Sequence, residues 1–217
     1  RTALIWAARD GNTEVVQELV RAGAALDLRN KYQNTALIYA VRNGHAEAVQ
    51  ELVRAGAALD LQDNIEQTAL IVAVNKGNTE IVEVLVRAGA ALDLQDDDGD
   101  TALFLAAGEG HTEVVKELVR AGAALDLENE EGKTALFIAA HLGHTEIVQE
   151  LVRAGAALDL ENDEGKTALM VAAFGGHIEV VQELVRTGAK LDLRDKDQST
   201  ALILAVDKGH TKIVQEL

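Results

Sequence analysis

Cysteine and proline are absent from this chain of 217 residues, serine occurs once, at Ser199, and aromatic residues make up only 3%. Without cysteine there is no disulfide, no thiol nucleophile and no Cys-ligated zinc site. With so few rings, the core has to be built from Ala, Val, Leu and Ile, which suits helices packed closely through small residues. Positive charge is also scarce: 20 Lys and Arg stand against 36 Asp and Glu, a formal net charge of −16. A chain this acidic repels phosphate backbones. Nucleic acid and anionic membrane surfaces are therefore excluded as partners unless a basic face is segregated, and the sequence shows none. The longest apolar runs, such as Ala69 to Val74, fall far short of the roughly 20 residues that span a bilayer. The opening Arg1-Thr2-Ala3-Leu4-Ile5-Trp6 has no secretory cleavage pattern. A soluble, cytoplasmic protein is expected.

What is present is repetition. Thr-Ala-Leu recurs at Thr2, Thr35, Thr68, Thr101, Thr134, Thr167 and Thr200, always 33 residues apart and without an insertion. No linker or shift in composition interrupts this period, so the chain reads as a single array. Its units are 1–30, 31–63, 64–96, 97–129, 130–162, 163–195 and 196–217, the first and last incomplete.

Within one unit, the Thr134 hydroxyl can cap a short helix from Ala135 to about Leu142, which Gly143 ends. A second helix starts at Thr145, with Glu146 near its positive end, apolar residues at Ile147, Val148, Leu151 and Val152, and Arg153 in its last turn before Gly155. Leu158, Asp159 and Leu160 then alternate as an extended piece, and the polar turn Glu161 to Lys166 leads to the next Thr. Helices this short cannot bury their apolar faces alone, so neighbouring units must cover one another.

These residues resemble the ankyrin-repeat family, whose unit reads Thr-Pro-Leu-His-x-Ala-Ala, then Gly-His, a Val-rich second helix and Ala-Gly-Ala. The matching stretches are Thr134 to Ala140, Gly143 to Val148 and Ala154-Gly155-Ala156. Ala replaces the family proline in every unit, and Ile, Phe or Met replaces the family histidine, which should move that position into the inter-repeat core. The resemblance implies an all-α solenoid of helix-turn-helix units joined by finger-like β-turn loops. It also implies a concave surface, formed by the first helices and finger tips, that binds protein partners.

Comparison between units places the variation in that same region. The second helix and the Arg-Ala-Gly-Ala-Ala-Leu-Asp-Leu segment scarcely change, whereas the outer face of the first helix and the finger tips do. At about 100° per residue, Trp6 and Arg9 lie opposite Leu4 and Ala8. The same positions elsewhere form a ladder expected to point away from the core, including Tyr39 and Arg42, Val72, Asn75 and Lys76, Glu109, His141 and Leu142, and Val171 and Phe174. Candidate partner-binding residues are Trp6, Arg9, Tyr32, Tyr39, Arg42, Ile65, Asn75, Lys76, Glu109, His141, Leu142 and Phe174, among them the Trp, Tyr and Arg types that dominate binding hot spots. Asp97, Asp98, Asp100, Glu130, Glu131, Asp163 and Glu164 make the middle fingers acidic, an expected strip for steering a basic partner.

Other chemistry finds little support. Asp96 to Asp100 lacks the spacing of a dedicated calcium loop. Gly132-Lys133-Thr134 and Gly165-Lys166-Thr167 echo a phosphate loop but lack its first glycine and sit beside repelling carboxylates. His45, His111, His144, His177 and His210 recur at one turn position, too far apart to converge on a metal, and His141 and His144 are separated by Gly143. No nucleophile and base pair suggests catalysis, so a non-enzyme without metal or cofactor is expected.

The sequence reading is thus an interaction module for a protein or peptide. The alternative is a designed or selected repeat scaffold with no specific target, in keeping with the near-identity of the units. Gln33, Glu66 and Gln198 stand where other units have Gly99, Gly132 and Gly165, at a turn expected to need positive φ. The motif is cut at both ends, so exposed apolar terminal faces and end-to-end association of a mostly monomeric protein are expected.

Overall fold

The computed structural model describes residues 2–217. These form paired α-helices: α1 (Ala3–Arg9) and α2 (Thr13–Arg21), α3 (Ala36–Arg42) and α4 (Ala46–Arg54), α5 (Ala69–Asn75) and α6 (Thr79–Arg87), α7 (Ala102–Gly108) and α8 (Thr112–Arg120), α9 (Ala135–Leu142) and α10 (Thr145–Ala154), α11 (Ala168–Gly175) and α12 (Ile178–Thr187), α13 (Ala201–Asp207) and α14 (Thr211–Glu216). Among the described residues the only β contact is an antiparallel bridge between Gln95 and Thr101 at the base of a finger. Packing divides the chain into two compact units, one running through Ala102 and the other from Leu103 to Leu217.

The first helix of each pair starts on its threonine. Thr2, Thr35, Thr68, Thr134, Thr167 and Thr200 each accept, at 3.2 to 3.4 Å, the N–H three residues on. This side-chain cap satisfies a first-turn donor without help from proline. The position that carries Ile, Phe or Met is buried at Ile5, Ile38, Ile71, Phe104, Phe137 and Met170, as expected. Ile203 differs, at 47% exposed, and Leu202 and Val206 are exposed beside it. Second helices bury a Leu such as Leu52, Leu85, Leu118, Leu151 or Leu184 against their neighbours. Truncating one of these to Ala removes about 2–5 kcal/mol.

Directed bonds then fix how successive repeats stack. His45 Nε2 lies 3.0 Å from the Arg9 carbonyl oxygen, His144 Nε2 3.1 Å from that of Gly108, His177 Nε2 3.0 Å from that of His141, and His210 Nε2 3.1 Å from that of Phe174. Each ring thereby donates to the end of the preceding first helix and leaves its own helix without a side-chain cap. Asn12 and Asn78, at the same position, cap their own helices instead. The segment from Leu158 to Leu160 is not extended as the alternation suggested: Leu158 and Asp159 sit in a turn. The reason is a bond across the repeat boundary, in which Asp159 Oδ1 accepts the Lys190 N–H at 3.0 Å. Asp27, Asp60 and Asp126 do the same for Ala58, Ala91 and Ala157.

Backbone strain is concentrated in a few fingers. Gln33, Glu66 and Gln198 hold φ of 60°, 57° and 64°, at the turn position where Gly99 and Gly132 hold 76° and 71°. Replacement of Glu66 by Gly is expected to raise stability by roughly 1 kcal/mol. Gly143→Ala should instead lower it by more, because φ is +75° there and a Cβ would lie 2.5 Å from the His177 ring. Denaturant unfolding of the two variants checks both signs.

Candidate functional site

In the first unit the outer faces of α1, α3 and α5 carry the early candidates. Trp6 is 38% exposed, and the Arg9 guanidinium stacks 3.8 Å from its ring centre while contacting Asp10 at 2.7 Å. Tyr39 is half-buried, its hydroxyl accepting from Asn30 Nδ2 at 2.9 Å, so it ties the finger to the helix as well as forming part of the face. Arg42 is half-buried too and donates to Asp63 Oδ2 at 2.6 Å. Val72 is a correction: it is buried rather than on the open ladder, lining a cavity that the adjoining finger residues Asp63, Asn64, Ile65 and Gln67 share with it. Asn75 and Lys76 are exposed at the end of α5. Tyr32 and Ile65 project from finger tips, with Lys31 Nζ 4.6 Å from the Tyr32 ring centre. Between α5 and its finger lies a cavity of about 360 Å³, lined by Arg42, Asp63, Ile65, Val72, Asn75 and Lys76 among others.

In the second unit, Glu109, His141, Leu142 and Phe174 are exposed, Ile138 is half-buried and Val171 is buried, a second correction to the ladder. The Lys208 ammonium stands 4.5 Å from the Phe174 ring centre, a cation over an aromatic face. His141 has its pKa lowered, first by burial and then by the positive charges of Lys133, His177 and Lys166. Its ring is therefore held neutral further into the acid range than an ordinary histidine.

Each finger is organised by a residue that the sequence reading passed over. The side-chain oxygens of Asn30, Asp63, Asp96, Asn129, Asn162 and Asp195 each accept two backbone N–H groups, two and four residues on. An Asn or Asp at that spot every 33 residues was the available signal. Neighbouring fingers are joined in turn, as where Asp163 N–H donates to the Glu131 carbonyl at 3.1 Å and Lys196 N–H to that of Glu164 at 3.0 Å.

The acidic tips are placed accordingly. Asp97 and Asp98 are exposed and Asp100 is half-buried in the first unit, while Glu130, Glu131, Asp163 and Glu164 are exposed in the second. Lys133 pairs with Glu131, and Lys166 with Glu164 at 2.6 Å, which holds the Glu164 carboxyl below its ordinary range. These pairs, and the bond from the Phe137 N–H to Thr134 Oγ1, leave the Gly-Lys-Thr stretches nothing of a phosphate loop. Carboxylate oxygens of Asp96, Asp97 and Asp98 lie within 4.8 Å of one another, but Asp96 Oδ1 is already engaged by two N–H groups.

Asp96 differs electrostatically from Asp63. Asn75 occupies the place, 21 residues before it, that Arg42 holds relative to Asp63. Burial raises the Asp96 pKa, outweighing its backbone hydrogen bonds, and repulsion from Asp98 and Asp97 adds to it. A raised folded-state pKa means the folded protein binds this proton more tightly than the unfolded chain, so Asp96 costs stability at neutral pH and less in acid. Asp96→Asn should therefore raise the urea midpoint at about pH 7, with the gain fading towards about pH 4. An equal gain at both would contradict the assignment.

The surface belongs to a fold that other proteins share. The family model described as "Ankyrin repeats (3 copies)" matches residues 1–63, 41–128, 70–162, 106–195 and 136–217. The structure is similar to that of the ankyrin repeat domain of Bcl-3, a member of the IkappaB protein family, with a TM-score of 0.89 and 29% identity over 99% of this chain and 98% of that one. It is also similar to the human ASB11 ankyrin repeat domain, with a TM-score of 0.85 and 25% identity over 100% of this chain and 98% of that one. No curated protein matches the sequence.

Proposed function

Because this chain belongs to the ankyrin-repeat family, whose members are in general protein–protein interaction modules, we propose that it is a non-catalytic binder of a protein or peptide. The partner engages the outer faces of the first helices and the adjoining finger tips. The observation that carries this reading is where the exposed aromatic side chains and Leu142 fall. Trp6 under Arg9, Phe174 beside Lys208, and the exposed Leu142 sit on the varied face of otherwise uniform repeats. Rings and aliphatic groups presented beside cations are the material of binding hot spots. Tyr32, Ile65, Asn75 and Lys76 extend the face of the first unit, and Glu109 and His141 that of the second, whereas Tyr39 and Arg42 serve it partly by holding fingers in place.

The tips carry their own preference. Asp97 and Asp98 in one unit, and Glu130 and Asp163 in the other, favour a partner with basic segments along the rim, acting more on association rate than on affinity. No described helix is long and apolar enough to cross a membrane. A second reading, a repeat scaffold made or selected for its architecture, draws on the uniformity of the second helices, such as Thr112 to Arg120 and Thr145 to Arg153.

Affinity capture from lysate separates the two readings. The parent is compared with a Trp6→Ala, Leu142→Ala, Phe174→Ala variant, which truncates only exposed side chains. A protein retained by the parent and lost by the variant supports the binding reading, with an expected cost of about 1–2 kcal/mol or more per anchor. Its loss in high salt would assign steering to the acidic tips. Identical captures favour the scaffold.

A further inference from the structure

We infer that the cavity between α5 and its finger in the first unit receives an acidic side chain of the partner together with an adjoining aliphatic one. This deepens the binding reading above and rests on it. The chain as a whole is strongly acidic, yet this hollow presents cations. Arg42 enters from α3 and Lys76 from the end of α5, with the Asn75 amide beside them.

The one carboxylate lining the cavity is already engaged and almost wholly covered. Asp63 is 1% exposed at its side chain, its Oδ1 accepts the Ile65 and Gln67 N–H groups at 3.0 and 3.1 Å, and its Oδ2 accepts from Arg42 at 2.6 Å. Asp63 thus acts as a buried anchor that fixes the guanidinium. Arg42 commits one N–H to it out of five and keeps a third of its side chain exposed, at 34%. An arginine held in this way binds a second carboxylate without first losing its rotamer freedom.

The remaining wall is aliphatic. Ile65 is 40% exposed at the rim and Val72, 3% exposed, forms the base. A volume of about 360 Å³ lies in the range of roughly 300–1,000 Å³ that small ligands fill, enough for one or two side chains. A basic segment would meet Arg42 and Lys76 as like charges, and a purely aliphatic one would leave both cations desolvated. An Asp or Glu next to Leu, Ile, Val or Met satisfies both parts of the wall.

Selection of random dodecapeptides displayed on phage against the full chain tests this. The enriched sequences should share an acidic residue adjacent to an aliphatic one. A synthetic peptide of that kind should bind about tenfold more weakly to Lys76→Gln and be weakened by salt. Lys76→Gln removes an exposed charge and leaves Asp63 paired, and an unchanged thermal midpoint confirms that its fold is intact. Ile65→Ala should reduce binding independently, and Phe174→Ala should not. Enriched peptides without the acidic and aliphatic pair, or an affinity indifferent to Lys76→Gln and Ile65→Ala, overturn the cavity assignment. If such peptides are lost instead on Trp6→Ala or Phe174→Ala, the general binding reading survives without the cavity. If no peptide is enriched, the cavity assignment fails, and the lysate capture decides the binding reading separately.

Discussion

No helix pair in this protein can bury its apolar face against itself. Helices of 6 to 10 residues are too short to be stable in water alone, and each pair gains a core only when the next pair lies against it. Within each compact unit, this requirement is met by aliphatic burial, which is non-directional, and by hydrogen bonds, which are directional. Leu52, Leu85 and Leu151 supply the first. The histidine rings, the Asp159-type carboxylates and the finger-to-finger backbone bonds supply the second, and they set the register at which the first is achieved.

Uniform framework and variable face are two sides of that arrangement. Groups that bond to the neighbouring repeat cannot change without loss of their partner, so the second helices and the segment around Asp159 stay nearly constant. The outer face of the first helix lies outside these repeated contacts, and it is there that Trp6, Asn75, Leu142 and Phe174 differ from one repeat to the next. Arg42 and Tyr39 show the boundary between the two classes. Each lies on the varied face, and each is also hydrogen-bonded to the residue that organises a finger, Asp63 and Asn30.

The period of 33, the threonine caps, the helix limits around Ala135–Leu142 and the burial of Ile38 or Met170 could all be read from residue type and spacing, because each depends on contacts within a few residues or on strict repetition. The turn at Leu158 and Asp159 could not. Alternating residues indicate an extended segment when no distant partner is considered, and the Lys190 N–H that holds Asp159 lies 31 residues away. Val72 and Val171 were misplaced for a related reason. A helical wheel sees only one helix, and the burial of these two side chains depends on packing against other parts of the chain. The role of Asp63 and its equivalents was hidden by their surroundings, since an Asn or Asp within a polar turn has nothing beside it to mark it as a buried acceptor.

The contact between His177 and Gly143 carries a further consequence. The ring occupies the space that a Cβ at Gly143 would need, and it bonds to the His141 carbonyl, so the glycine and the carbonyl belong to one repeat and the ring to the next. Every such contact joins positions at a fixed offset of 36 residues, in a sequence that repeats every 33. An in-frame duplication or deletion of one period, wherever its breakpoints fall, leaves each ring that is present facing a glycine and a carbonyl of the preceding repeat. The array can lengthen or shorten by recombination without any interface having to be rebuilt, and new binding surface is added in units that already fit.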